Sequence, residues 1–133
     1  MTEIETAIHI AFRGNVALST AAPGGMHNTQ ADSGAGYPRI VFDLPAGLKT
    51  NTFSHEKEDM IVQFRIYTKD GGSSASLNDL FTKLKAVYDD YAIPVEGYQT
   101  IQMRRTISRK TKDEVDEKVW IYLVQYEVII EKI

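Results

Sequence analysis

Apolar residues recur along the N-terminal segment at intervals of three and four: Ile4, Ala7, Ile8, Ala11 and Phe12. That spacing predicts a helix over residues 3–21. Thr2 and Glu5 stand where a capping box would open it, hydroxyl and carboxylate each satisfying a free backbone N–H. Gly14-Asn15 weakens the period and predicts a break, and Pro23-Gly24-Gly25 ends the helix. No period survives from residue 22 to 37, where Gly24, Gly25, Gly34 and Gly36 fall in one polar stretch. This reads as a long surface loop.

The period then changes to two. Ile40, Phe42 and Leu44 alternate with Val41 and Asp43, predicting a strand over 38–44 that Pro45-Ala46-Gly47 breaks. Lys49 to Glu58 reads as a second exposed connection. Both connections, 22–37 and 46–57, are expected to be mobile in the free protein and to order on assembly. Met60, Val62, Phe64 and Ile66 mark a strand over 59–69. Asp70-Gly71-Gly72-Ser73-Ser74 ends it. Leu77, Leu80, Phe81, Leu84, Val87, Tyr88 and Tyr91 form the stripe of an amphipathic helix that Pro94 stops. Ser76 with Asp79 resembles a capping box for it. In the next strand Gln99, Ile101, Met103, Arg105 and Ile107 alternate with Thr100, Gln102, Arg104 and Thr106. In the last, over 118–132, Trp120, Tyr122, Val124, Tyr126, Val128 and Ile130 share a face. A polar turn, Thr111 to Glu117, joins these two, and their length predicts a hairpin protruding beyond the sheet.

The order α-β-β-α-β-β predicts an α+β fold in one domain, residues 1–133. A four-stranded, mainly antiparallel sheet carries two helices on one face, with a long C-terminal hairpin. The opposite face would hold Val41, Ile61, Tyr67, Val119, Ile121 and Leu123 with no third layer to cover them. Strands apolar on both faces call for cover on both, and a partner subunit is the simplest cover. Val119, Ile121 and Leu123 are therefore candidate subunit-interface residues.

Composition narrows the function only by exclusion. The 133 residues carry 15 Lys and Arg against 18 Asp and Glu, a net charge of −3. A chain with pI near 5.6 lacks the electrostatic footprint of a general nucleic-acid binder. There is no cysteine, hence no disulfide framework, thiolate metal site or cysteine nucleophile. The N-terminus bears acids where a signal peptide bears Lys or Arg, and Val119–Val124 is the longest apolar run. The expectation is a soluble protein without a signal peptide or membrane partner.

Candidate chemistry is sparse. His9, His27 and His55 lack metal-ligand spacing, and the Gly-rich turn at 70–74 lacks the lysine and glycine spacing of a phosphate loop. Asp89 and Asp90 point apart as helix neighbours and read as a solvated face. No serine sits in a nucleophile motif. The expectation is no catalytic, cofactor or metal site. The last hairpin is unevenly charged: Arg104, Arg105, Arg109, Lys110 and Lys112 precede Asp113, Glu114, Asp116 and Glu117. It reads either as a solvated tip or as a subunit contact in which Arg105 and Arg109 of one copy meet Glu114 and Glu117 of the next.

Several strings resemble the tail-terminator, or tail-completion, proteins of long-tailed bacteriophages and prophage-derived particles. They are Gln30–Phe42, where a polar loop leads through Tyr37-Pro38 into a strand, Glu58–Tyr67, the helix Leu77–Tyr88, and Lys118–Val128. Together they cover nearly the whole chain, as patterns of hydrophobicity rather than invariant chemistry. One departure is Asp32 after Ala31, where the family often has proline. The resemblance implies a non-enzymatic structural protein without cofactors. It implies a ring, usually hexameric, capping the tail tube at the head-proximal end of the virion, assembled in the host cytoplasm. Its partners would be further copies of itself, the tail tube protein and the head-tail connector protein, with a lumen through which DNA could pass. The alternatives are another head–tail connector or minor tail component, or a small ligand-binding α+β domain.

Overall fold

The long N-terminal helical pattern resolves into two helices, α1 (Thr2–Gly14) and α2 (Val16–Ala21). Asn15 separates them with an extended backbone, and its side-chain oxygen accepts from the Leu18 N–H at 2.9 Å. The residue that weakens the first period thus caps the second helix, and it turns Leu18 into the core. The computed structural model describes residues 2–28, 36–51, 56–69, 75–92, 94, 97–112 and 119–132. The remaining elements are β1 (Met26–Asn28), β2 (Arg39–Asn51), β3 (Glu56–Lys69), α3 (Ala75–Tyr88), β4 (Tyr98–Lys112) and β5 (Val119–Lys132).

The α+β class stands, with five strands and three helices among the described residues instead of the four and two expected. The sheet runs β1-β2-β3-β5-β4, antiparallel except for β1 beside β2. The missed strand lies inside the segment expected to be loop. Met26, His27 and Asn28 pair with Ile40, Val41 and Phe42, and three residues are too few to show a period. Gly24 makes the approach possible: its N–H donates to the Pro38 carbonyl at 2.9 Å. A Cβ there would run into the Gly36 and Pro38 carbonyl oxygens.

The second expected connection is also largely strand. Pro45 does not break β2. Leu44 and Pro45 together oppose one residue of β3 as a bulge between the pairs Asp43–Gln63 and Ala46–Ile61, and pairing resumes to Asn51–Glu56. Proline is tolerated at a bulge on an edge, where no ladder bond needs its missing N–H. Of the two segments expected to be mobile, 29–35 and 52–55 lie outside the described residues. The C-terminal hairpin does not stand clear of the sheet: β3 lies along β5 from Lys57–Glu131 to Lys69–Val119. The turn 113–118, with Glu114 and Glu117, lies outside the described residues.

Strict alternation also fails in β4. Its register with β5 slips at Thr100/Gln102 and again at Arg105/Ile107, each time by one extra residue. Met103 is buried, whereas Ile101 and Ile107, expected on its side, are 47% and 41% exposed. A bulge resets the parity of every side chain beyond it.

The helices pack on the face bearing Ile40, Phe42, Val62, Phe64, Val124 and Tyr126. At its centre the Phe64 ring lies 4.7 Å from Tyr88 and edge-on to Tyr126 at 5.9 Å. The Tyr88 hydroxyl, fully buried, donates to the Ile8 carbonyl at 2.7 Å and ties α3 to α1. Each buried aliphatic or aromatic side chain contributes roughly 1.5–3 kcal/mol. α3 stops after Tyr88 because Asp90 turns to φ 58° and donates its N–H to the Met103 carbonyl at 3.1 Å, well before Pro94. Since α3 begins at Ala75, Ser76 lies within its first turn rather than at a cap position, and Asp79 instead pairs with Lys83 at 2.7 Å.

Candidate assembly surfaces

The sheet face opposite the helices can be followed row by row through the register. One row runs His27, Val41, Arg65, Leu123, Arg109, and the next Arg39, Tyr67, Ile121, Thr111. Beyond them lie Asp43, Gln63, Gln125 and Ile107. Among the described residues no helix packs on this face. Val119 and Val41 are buried within it, at 2% and 4% exposure, while Ile121 and Leu123 are half-buried. The three apolar candidates therefore share one face, and that face is mixed rather than greasy. Arg65 pairs with Asp43 at 3.4 Å, and the Arg39 guanidinium sits over the rings of Tyr37 and Tyr67 at 4.3 and 5.5 Å. Arginine stems shield apolar surface while their heads stay polar. Arg65 Nε and Asp43 Oδ1 are buried there without a hydrogen-bond partner, an arrangement that costs free energy in the isolated chain.

Arg105 and Arg109 separate. Arg109 is exposed on the outer face. Arg105 lies on the helix side, where it donates to Asp89 at 3.3 and 3.5 Å and to the Ser108 hydroxyl at 2.8 Å, above the Phe81 ring at 5.2 Å. Within one chain it fastens β4 to the end of α3. Asp89, expected on a solvated face, also accepts from the Tyr126 hydroxyl at 2.5 Å. Burial, then the Asp89 hydrogen bond and its negative charge, hold Tyr126 protonated well above the ordinary tyrosine range. Burial first, with Tyr91 nearby, does the same for Tyr88. No sequence spacing joins residues 89, 105 and 126; only the pairing of β4 with β5 under α3 does so.

A groove of about 350 Å³ opens between α1 and β1, with Met26 and Phe42 among its lining and Glu5, His9, Arg13 and Asn28 around it. His9 donates from Nε2 to the Met26 carbonyl at 3.1 Å, and His27 to the Gly24 carbonyl at 2.8 Å. Both histidines thereby hold β1 in place, and His55 lies outside the described residues. Among the described residues no cluster of three His, Cys, Asp or Glu could hold a metal ion, and no helix is long and apolar enough to cross a membrane.

Neither a known protein-family model nor a curated protein matches the sequence. Solved structures do match in shape. A chain of the virion of a native gene transfer agent particle superposes with a TM-score of 0.78. The match covers 96% of this chain and 94% of that one, at 7% sequence identity. A second solved structure aligns at TM-score 0.56 and 13% identity, over 97% of this chain and 95% of its own. The chain has the fold of a phage-like virion component. At such identity the likeness is one of backbone path, so side-chain roles rest on the geometry above.

Proposed function

We propose that the protein is a non-enzymatic structural component of a phage-like virion, and specifically a tail terminator. In this reading copies of the chain form a ring, a hexamer, at the head-proximal end of the tail. The ring caps the tube formed by the tail tube protein and joins it to the head-tail connector protein. The observation that carries the reading is the end-to-end superposition on a virion component at TM-score 0.78. The outer sheet face supports it through Ile121 and Leu123, which are half-buried there with no described helix over them, whereas Val119, expected at the interface, is already buried within the chain. Arg109 and the acidic Glu114 and Glu117 of a neighbouring copy would set register between subunits, with Arg105 available only if its bond to Asp89 is exchanged.

The test is direct. Light scattering and negative-stain microscopy of the purified chain should show a closed ring near six times the 15.0 kDa chain mass. Added to growing tail tubes, the protein should stop elongation at one end. A chain that stays monomeric from micromolar to millimolar concentration and leaves the tubes growing would overturn the proposal.

A further inference from the structure

Among the described residues the sheet has two long open edges. β1 pairs only with Ile40–Phe42, so among the described residues β2 runs on to Asn51 with no strand on the side away from β3. At the other end β4, 15 residues long, pairs among the described residues with β5 on one side only. Exposed backbone N–H and C=O groups along a long edge are a template for another strand, and proteins that stay monomeric blunt them. Pro45 and the adjacent bulge interrupt β2 at one point, and bulges at Ile101 and Thr106 interrupt β4, leaving Ala46–Asn51 and Gln102–Arg105 in regular register.

We propose that successive copies join edge to edge, the free side of β4 in one copy pairing with Ala46–Asn51 of β2 in the next. The inference rests on the ring reading above and names the surfaces through which the ring closes. Strand direction supports it. β2, β3, β5 and β4 alternate in sense across the sheet, so the two open edges run in opposite directions. Rotation about a ring axis preserves sense, and β4 therefore meets the next copy's β2 antiparallel, the more stable ladder. The contact is head-to-tail, with two different surfaces, as a closed ring requires.

Height along the strands agrees. Thr50 lies level with Lys57, Glu131 and Gln99, and Ala46 with Ile61, Glu127 and Arg104. The free stretch of β2 thus matches Gln99–Arg104, the segment holding Ile101, which is 47% exposed. Ile107, 41% exposed, is level with Asp43. Ile101 therefore lies where the neighbour's strand would pair, while Ile107 lies beyond the paired stretch. Charge argues against the obvious rival, a twofold pairing of β4 with itself. β4 contains Arg104, Arg105, Arg109, Lys110 and Lys112 and no acid, and like charges across a strand pair destabilise it. The free stretch of β2 carries only Lys49.

The chain has no cysteine, so engineered cross-links report without background. A panel combines Leu48→Cys with one of Gln99→Cys, Gln102→Cys, Arg104→Cys or Ile107→Cys, spanning the stagger that a closed sheet imposes. Oxidation of the assembled protein should give a ladder of linked copies for at least one pair and none for the single variants. Hydrogen exchange on the unmodified protein should slow roughly tenfold or more in both 46–51 and 98–107 on assembly. A ring that forms without cross-links and without new protection at these edges overturns edge pairing and leaves the terminator reading standing. A chain that never assembles overturns both.

Discussion

Replacing Asp89 by alanine removes the acceptor that fastens the end of α3 to the sheet. Two interactions go with it. The Tyr126 hydroxyl, on a fully buried ring, loses its 2.5 Å bond to a carboxylate. A hydrogen bond to a charged group contributes about 1.5–3 kcal/mol, and leaving the hydroxyl buried and unpaired adds to the loss. The Arg105 pair, with both side chains about one-third exposed at 31% and 35%, adds no more than about 1 kcal/mol in water. The expected cost is about 2–3 kcal/mol, or a melting temperature lower by roughly 8–12 °C for a chain of this length. Asp89→Asn keeps an oxygen for Tyr126 and loses the charge, so it should cost about half as much. Urea unfolding of wild type, Asp89→Ala, Tyr126→Phe and the double variant measures the coupling, expected at about 1–2 kcal/mol. An Asp89→Ala protein within about 0.5 kcal/mol of wild type, or additive single changes, would refute the latch.

Tyr88 and Tyr126 both hold their protons more tightly folded than the ordinary tyrosine value of 10.0 allows. The folded state then binds more protons than the unfolded chain above that pH. Stability is fully present below pH 10 and falls above it, by up to about 1.4 kcal/mol per pH unit for each tyrosine; urea unfolding from pH 8 to 11 should show the fall, and Tyr126→Phe should make it shallower. Gly24→Ala drives a methyl into the Gly36 and Pro38 backbone carbonyls, so it should lower stability by about 1–3 kcal/mol, read by the same unfolding, with loss of β1 protection in hydrogen exchange. Ile121→Glu sits on a half-buried outer position, so circular dichroism should show an intact fold while light scattering shows weakened assembly. Arg109→Glu should move assembly to higher protein concentration at low salt and much less at high salt.

Periodicity alone was enough for most of the elements. Helical spacing from Ile4 to Phe12 and from Leu77 to Tyr88, and alternation from Met60 to Ile66 and from Val124 to Ile130, each report a face that must be buried. Those faces are the core observed, and the same alternation left Ile121 and Leu123 on the other side. What the pattern could not carry was anything decided by a neighbour. β1 is three residues long and exists because β2 offers it an edge and Gly24 lets the backbones approach. Pro45 reads locally as a stop, yet β3 supplies the pairing that carries β2 past it. The bulges at Ile101 and Thr106 are invisible to a period of two, and they decide that Ile101 and Ile107 face solvent. Asp89, Arg105 and Tyr126 meet only after α3 lies across β4 and β5, so a side chain that looked solvated became a latch and a supposed interface arginine became its partner. Local spacing determines which face of an element is apolar, because that depends only on the helix or strand repeat. Which edge finds a partner, and which charge finds its counter-charge, depends on contacts between residues far apart in the chain, and the tertiary structure alone decides it.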